Sequence, residues 1–111
     1  LTERKNSMQI KYVHKMGNES KPFIIFRKDD VPENILNIIL ENELFKESTI
    51  FGEKGLGDPD EIEEIVIVFD NGKEKTFKYI NKGIHYLIKG DNTLQPVFKV
   101  FTYFMMKERG C

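Results

Sequence analysis

Apolar and polar residues alternate at the start of the chain. Met8, Ile10, Tyr12, His14 and Met16 share one face, and Gln9, Lys11 and Lys15 share the other. That period of two marks a half-buried strand over 8–16. Gly17-Asn18-Glu19-Ser20 has turn composition, and Phe23-Ile24-Ile25-Phe26 resumes as a strand apolar on both faces. Pro22, with no N–H to give to a ladder, stands at its start. The two segments predict a hairpin. The period then changes: Ile35, Leu36, Ile38, Ile39, Leu40 and Leu44 form a wide helical face opposite Glu33, Asn37, Glu41 and Glu43. A helix at 31–46 follows, with Asp29 or Asp30 as N-cap, Pro32 in the first turn and Glu33 in capping-box position after Asp30.

Gly52, Gly55, Gly57 and Pro59 punctuate residues 48–61 densely enough to predict a loop. Residues 62–69 read as a strand, apolar on both faces from Ile65 onward. Asp70-Asn71-Gly72-Lys73 is a hairpin signal, and a two-residue Asn71-Gly72 turn would set Val66 against Phe77 and Ile67 against Thr76. The return strand spans 73–80. Asn81-Lys82-Gly83 and Gly90-Asp91-Asn92 read as turns around a further strand, 84–88. Residues 97–106 fit a helix by register, but Val-Phe-Lys-Val-Phe-Thr-Tyr-Phe is almost wholly β-branched and aromatic, and composition favours a strand.

The expected fold is a single α+β domain over 8–109 behind a flexible tail of residues 1–7. Its helix packs on an antiparallel sheet, in the order ββαββββ, or ββαβββα if the last segment is helical. Met8-Gln9-Ile10, the hairpin and the helix resemble the start of a β-grasp, ubiquitin-like domain in element order over about the first 46 residues; the glycine-rich loop and the later segments do not follow that pattern.

Length and composition narrow the class. With 111 residues and 40% hydrophobic content, the chain can bury one core and not two. No apolar run approaches the roughly 18–20 residues of a membrane helix. Residues 1–7 carry no apolar stretch of secretory type, and a chain that begins at Leu leaves a removed leader open. The one cysteine, Cys111, cannot form an internal disulfide and reads as a tail residue without a role. A cytoplasmic location is expected from these features.

Net charge is only −1, yet charge is segregated along the chain. Residues 1–28 hold seven Lys and Arg against two acids; residues 29–64 hold twelve acids against two Lys; residues 65–111 hold eight bases against four acids. The acidic middle third would steer a basic partner and repel nucleic acid from that side, although a solvated surface is the plainer reading. Basic flanks folding over it would cancel part of the field.

Other chemistry reads weakly. Gly52-Glu53-Lys54-Gly55-Leu56-Gly57 has a phosphate-loop look but lacks Gly-Lys-Ser/Thr, and five carboxylates follow it. Asp58 to Glu64 clusters hard-cation ligands without EF-hand spacing. His14 and His85 lie in apolar segments, and Ser7, Ser20 and Ser48 lack a nucleophile-elbow context. Aromatic residues interleaved with Lys75, Lys78, Lys82 and Lys99 suit single-stranded nucleic acid, but a core without Trp needs those rings. The expectation is therefore a non-enzymatic protein-binding module without cofactor or metal, of inhibitor, immunity-protein or antitoxin type, that blocks a basic, nuclease-like partner. Its binding residues would be Glu41, Glu43, Glu47, Glu53, Asp58, Asp60, Glu61, Glu63 and Glu64. A nucleic-acid-binding domain using the four lysines is the alternative, and a small enzyme around His14 or His85 a third.

Overall fold

The computed structural model describes residues 8–89 and 92–110, leaving aside the side chains of Lys89 and Asn92. The tail 1–7, Cys111 and most of the 90–92 turn lie outside the described residues. Five strands and three helices run β1 (Gln9–Met16), β2 (Ile24–Arg27), α1 (Glu33–Glu41), β3 (Thr49–Gly52), β4 (Glu61–Val68), β5 (Glu74–Ile80), α2 (Lys82–Lys89) and α3 (Gln95–Glu108). They form one α+β domain with sheet order β2-β1-β4-β5-β3. The resemblance to a ubiquitin-like domain in element order ends at α1.

The first hairpin forms as its alternation predicts, with Gln9 opposite Arg27 and Tyr12 opposite Ile24. α1 is shorter than the predicted 31–46 helix. Pro32 is its N-cap, and Asn42 turns extended at its end, its side chain accepting from Leu44 N at 2.9 Å. Short 3-10 turns at Lys28–Asp30 and Glu43–Phe45 take up the rest. Asp30 reaches back to Arg27 N at 3.3 Å and caps the first of these turns, not α1.

The predicted loop 48–61 contains β3, whose parallel pairing with β5 makes the sheet mixed and not wholly antiparallel. Ser48 Oγ accepts from Thr76 N at 3.0 Å and ties the start of β3 to β5. The hairpin register also differs by one residue: Val66 faces Thr76, Ile67 faces Lys75 and Ile65 faces Phe77. Gly72 N donates to Phe69 O at 2.9 Å and Phe69 N to Lys73 O at 2.8 Å, closing a three-residue loop where two were expected. The extra residue decides which side chains of β5 meet the core.

Residues 84–88 and 97–106 are helical, not strands. Val97, Val100, Phe101 and Phe104 recur at helical spacing and are buried beneath the sheet, so tertiary burial overrides their β propensity. Phe104 stacks on Tyr12 with centroids 5.9 Å apart and meets Phe26 edge-on at 5.0 Å; Phe101 meets Tyr79 at 5.5 Å. Ile35 and Ile39 of α1 join this core, as do Ile10, Ile65, Ile67 and Phe77 from the sheet. Each such side chain contributes about 1.5–3 kcal/mol on burial. The helix-facing side of the sheet therefore holds the main core, and strand alternation sends Lys11, Glu64, Thr76 and Lys78 to the other side.

Candidate functional site

Strand alternation divides the nine acidic candidates. Glu63 shares the helix-facing side of β4 with Ile65 and Ile67, is 0% exposed, and has no part in an accessible surface. Glu64 points the opposite way, opposite Lys78. Glu61 Oε2 is paired with His14 Nε2 at 2.7 Å. Glu41 and Glu43 line a shallow groove of about 220 Å³ together with Lys46 and Lys75. Glu47 precedes β3, and Glu53 and Asp58 follow it, all three exposed. The run that looks continuous in sequence is thus distributed over both sheet faces and both ends of β3.

Asp60 acts within its own loop. Its Oδ1 accepts from Gly55 N and from Asn81 Nδ2, both at 2.9 Å. The Asn81 amide, then the Gly55 N–H, hold this carboxyl below the usual carboxylate range. Its anchoring is complete above the ordinary carboxylate pKa and is lost as pH falls through the depressed one. Asn81, buried at the β5–α2 junction with φ 55°, ties three segments together. Its Oδ1 accepts from Glu61 N at 2.9 Å, and its Nδ2 also donates to Glu53 O at 2.9 Å. Asn is among the few residues that tolerate this backbone region. Asn81→Ala should cost about 2–3 kcal/mol in thermal unfolding, from three lost side-chain hydrogen bonds and a strained φ. Asn81→Gly, which relieves only φ, should recover a minor part; equal stability of Gly and wild type would show that the side-chain bonds contribute nothing.

Beneath α2 lies a buried ionic cluster. Tyr12 OH donates to Glu63 Oε1 at 2.6 Å, and Lys82 Nζ stands 3.2 Å from Glu63 Oε2. That second contact is an ion pair, and the same Lys82 ammonium donates to Thr102 Oγ1 at 3.0 Å. Burial raises the Glu63 pKa, with Lys82 and Tyr12 opposing the shift. Burial likewise pushes Tyr12 upward and Tyr79 up to about 12. The Tyr79 hydroxyl and His85 Nδ1 are buried without a hydrogen-bond partner among the described residues. A groove of about 410 Å³ lined by Tyr86, Gln95, Phe98, Lys99 and Thr102 opens at the seam of α2 and α3.

The composition of α2 runs opposite to the usual arrangement. Lys82 and His85 face the protein and are buried, while Ile84, Leu87 and Ile88 face solvent at i, i+3 and i+4. Leu87 is 81% exposed and Ile88 63%. Sequence reasoning missed this face because it read the segment as a strand; the helical spacing of the three aliphatics was the available signal.

The remaining candidates do not converge. Lys75 and Lys78 lie on opposite sides of β5, Lys82 is buried and Lys99 sits on α3, so the four lysines do not share a sheet face. His85 packs edge-on against Tyr79 at 6.1 Å, whereas His14 is held by Glu61. Among the described residues no three His, Cys, Asp or Glu side chains are grouped as a metal site would require. No described helix is long and apolar enough to cross a membrane. No protein-family model matches the chain, and no curated protein or solved structure is significantly similar to it.

Proposed function

We propose that the chain is a protein-binding module of inhibitor or immunity-protein type, and that it holds its partner on the outer face of α2. The observation that carries this reading is the outward aliphatic stripe of Ile84, Leu87 and Ile88 on a helix whose Lys82 and His85 are turned inward. An aliphatic stripe left in water offers burial energy to a partner, and grouped exposed apolar side chains mark interaction surfaces. Carboxylates lie in the segment next to the helix start: the 53–60 loop, which carries Glu53 and Asp58, is bonded through Glu53 O and Asp60 to Asn81, the residue immediately before α2. An apolar centre with acidic residues beside it suits a partner whose own apolar contact is flanked by Lys or Arg. The charges then act on encounter rate and the centre on residence time.

Leu87→Glu tests the reading. At so exposed a position the substitution should leave thermal stability within about 0.5 kcal/mol of wild type. It should weaken partner binding by roughly 30-fold or more, the effect expected of a central interface side chain. Glu53→Lys with Asp58→Lys should instead slow association and flatten its salt dependence. Affinity purification from the native lysate, run in parallel with wild type and Leu87→Glu, supplies the comparison. A partner retained equally by both would exclude α2 as the docking face.

A further inference from the structure

Three buried polar atoms meet between β4, β5 and α2, and we propose that they hold one internal water that bridges the helix to the sheet. Among the described residues, Tyr79 OH and His85 Nδ1 are buried without a hydrogen-bond partner, and Glu63 Oε2 has its ion pair with Lys82 but no hydrogen bond. No other buried side-chain oxygen or nitrogen of the described residues is left in this way. The three lie together. Glu63 and Tyr79 stand opposite each other on β4 and β5, and the Tyr79 ring meets His85 of α2 edge-on at 6.1 Å. Glu63 and Tyr79 are 0% exposed and His85 8%. Folded proteins satisfy such groups with a protein partner or with ordered water, and no two of these three bond each other.

The chemistry of the site selects water. The Glu63 carboxylate, ionised beside Lys82, accepts. Burial first, then Tyr86 and Glu63, push the Tyr79 pKa up to about 12, so the phenol keeps its proton and donates at neutral pH. A water that accepts from Tyr79 OH and donates to Glu63 Oε2 and His85 Nδ1 makes about three hydrogen bonds, the usual number for an internal water. With Nδ1 accepting, the His85 ring proton sits on Nε2. An ion does not fit: a cation would stand beside the Lys82 ammonium, and an anion beside the Glu63 carboxylate. A larger guest has no way in, since none of the three atoms reaches the surface. The inward face of α2 is polar at Lys82 and His85. The ion pair and the bridging water therefore hold down the helix that carries Ile84, Leu87 and Ile88, whatever binds those three.

Magnetic relaxation dispersion of the water oxygen, measured on the whole chain and on Tyr79→Phe and Tyr103→Phe, tests this. A chain of 111 residues holds about four internal waters at the usual frequency of about one per 27 residues, so the difference between variants is read and not the total. Tyr79→Phe keeps the ring and removes one hydrogen bond from the site. It should lose the amplitude of one long-lived water, or shorten that water's residence by about tenfold. Tyr103→Phe, in a ring that packs against Phe104 and Lys107, should match wild type. In wild type the Tyr79 hydroxyl proton should also show cross-relaxation with water, a readout that stands even if Tyr79→Phe fails to fold. Unchanged amplitude and residence in a folded Tyr79→Phe would overturn the proposal. So would a wild-type hydroxyl proton without the water cross-peak, or one with scalar coupling to His85 Nδ1, which marks a direct bond with no water between.

Discussion

Lys82→Met should cost about 3–5 kcal/mol in urea unfolding at neutral pH, the range for leaving one member of a buried ion pair without its partner. Glu63 is fully buried, and Lys82 is the one cation within 4 Å of it among the described residues. Met fills much of the same volume against Phe98 and Thr102 but brings no charge. The carboxylate would keep only the Tyr12 hydroxyl. Glu63→Leu combined with Lys82→Met should recover most of the loss, because two apolar side chains need no mutual compensation. A single variant that costs less than about 1 kcal/mol, or a double variant no better than the single, would refute a buried ion pair as the stabilising contact.

The penalty should also depend on pH, with a definite sign. Burial raises the Glu63 pKa above that of an unfolded glutamate. A carboxyl that holds its proton more tightly when folded makes the fold lose stability as pH rises from the unfolded pKa through the folded one. Removing Lys82 removes the strongest influence opposing that shift, so the pKa climbs further and the window extends to higher pH. The cost of Lys82→Met should therefore grow as pH rises from the unfolded carboxylate pKa through the raised folded one and shrink below it, because a protonated Glu63 needs no cation. The opposite trend would place the loss elsewhere than on the Glu63 charge.

Gly52→Ala should be comparably damaging, at roughly 3–5 kcal/mol, from left-handed strain together with a backbone clash. Gly52 has φ 86°, and a Cβ there would press into the Ile80 carbonyl, 2.9 Å from its carbon and 2.8 Å from the Ile80 nitrogen. Ile80 cannot give way cheaply. It pairs with Ile62 on one side and Gly52 on the other, and its carbonyl accepts from Glu53 N at 3.1 Å. β3 should separate from β5, with loss of amide protection over Thr49–Gly52 in hydrogen exchange. Gly55→Ala is the control, since its φ is also positive at 88° but a Cβ there meets nothing within 4 Å. It should cost about 1 kcal/mol, the backbone strain alone. Equal losses at the two positions would show that the approach to Ile80 is not the cause.

Much of the sheet was legible from local pattern. β1, β2, β4 and β5 lie close to where alternation and turn residues put them, since each strand is long enough to show its period or is bounded by Gly, Pro and Asn. β3 escaped because four residues carry no readable period and glycines surround them. The two late helices escaped for another reason: in Val97–Phe104 nearly every position is apolar, so period cannot distinguish helix from strand, and residue preference pointed the wrong way. The candidate site was legible only in part. Glu63 stands two residues before Ile65 and four before Ile67, and that alternation marks it as inward-facing even within an acidic run. Its partner Lys82 has no such signal, being 19 positions away on another element.

What the sequence by itself determined is therefore local: one domain of mixed class, the first hairpin, the site of α1, the β4–β5 hairpin up to its register, and the segregation of charge along the chain. Those follow from interactions between near neighbours, where period, turn chemistry and propensity act directly. The tertiary structure decided the rest: the parallel place of β3, the helicity of α2 and α3, the burial of Glu63 against Lys82, and the exposure of Ile84, Leu87 and Ile88. Each of these depends on which distant surface a segment meets. A short apolar segment carries enough burial energy to follow that surface against its own preference, and an acidic run in sequence is divided by strand alternation between the two faces of the sheet.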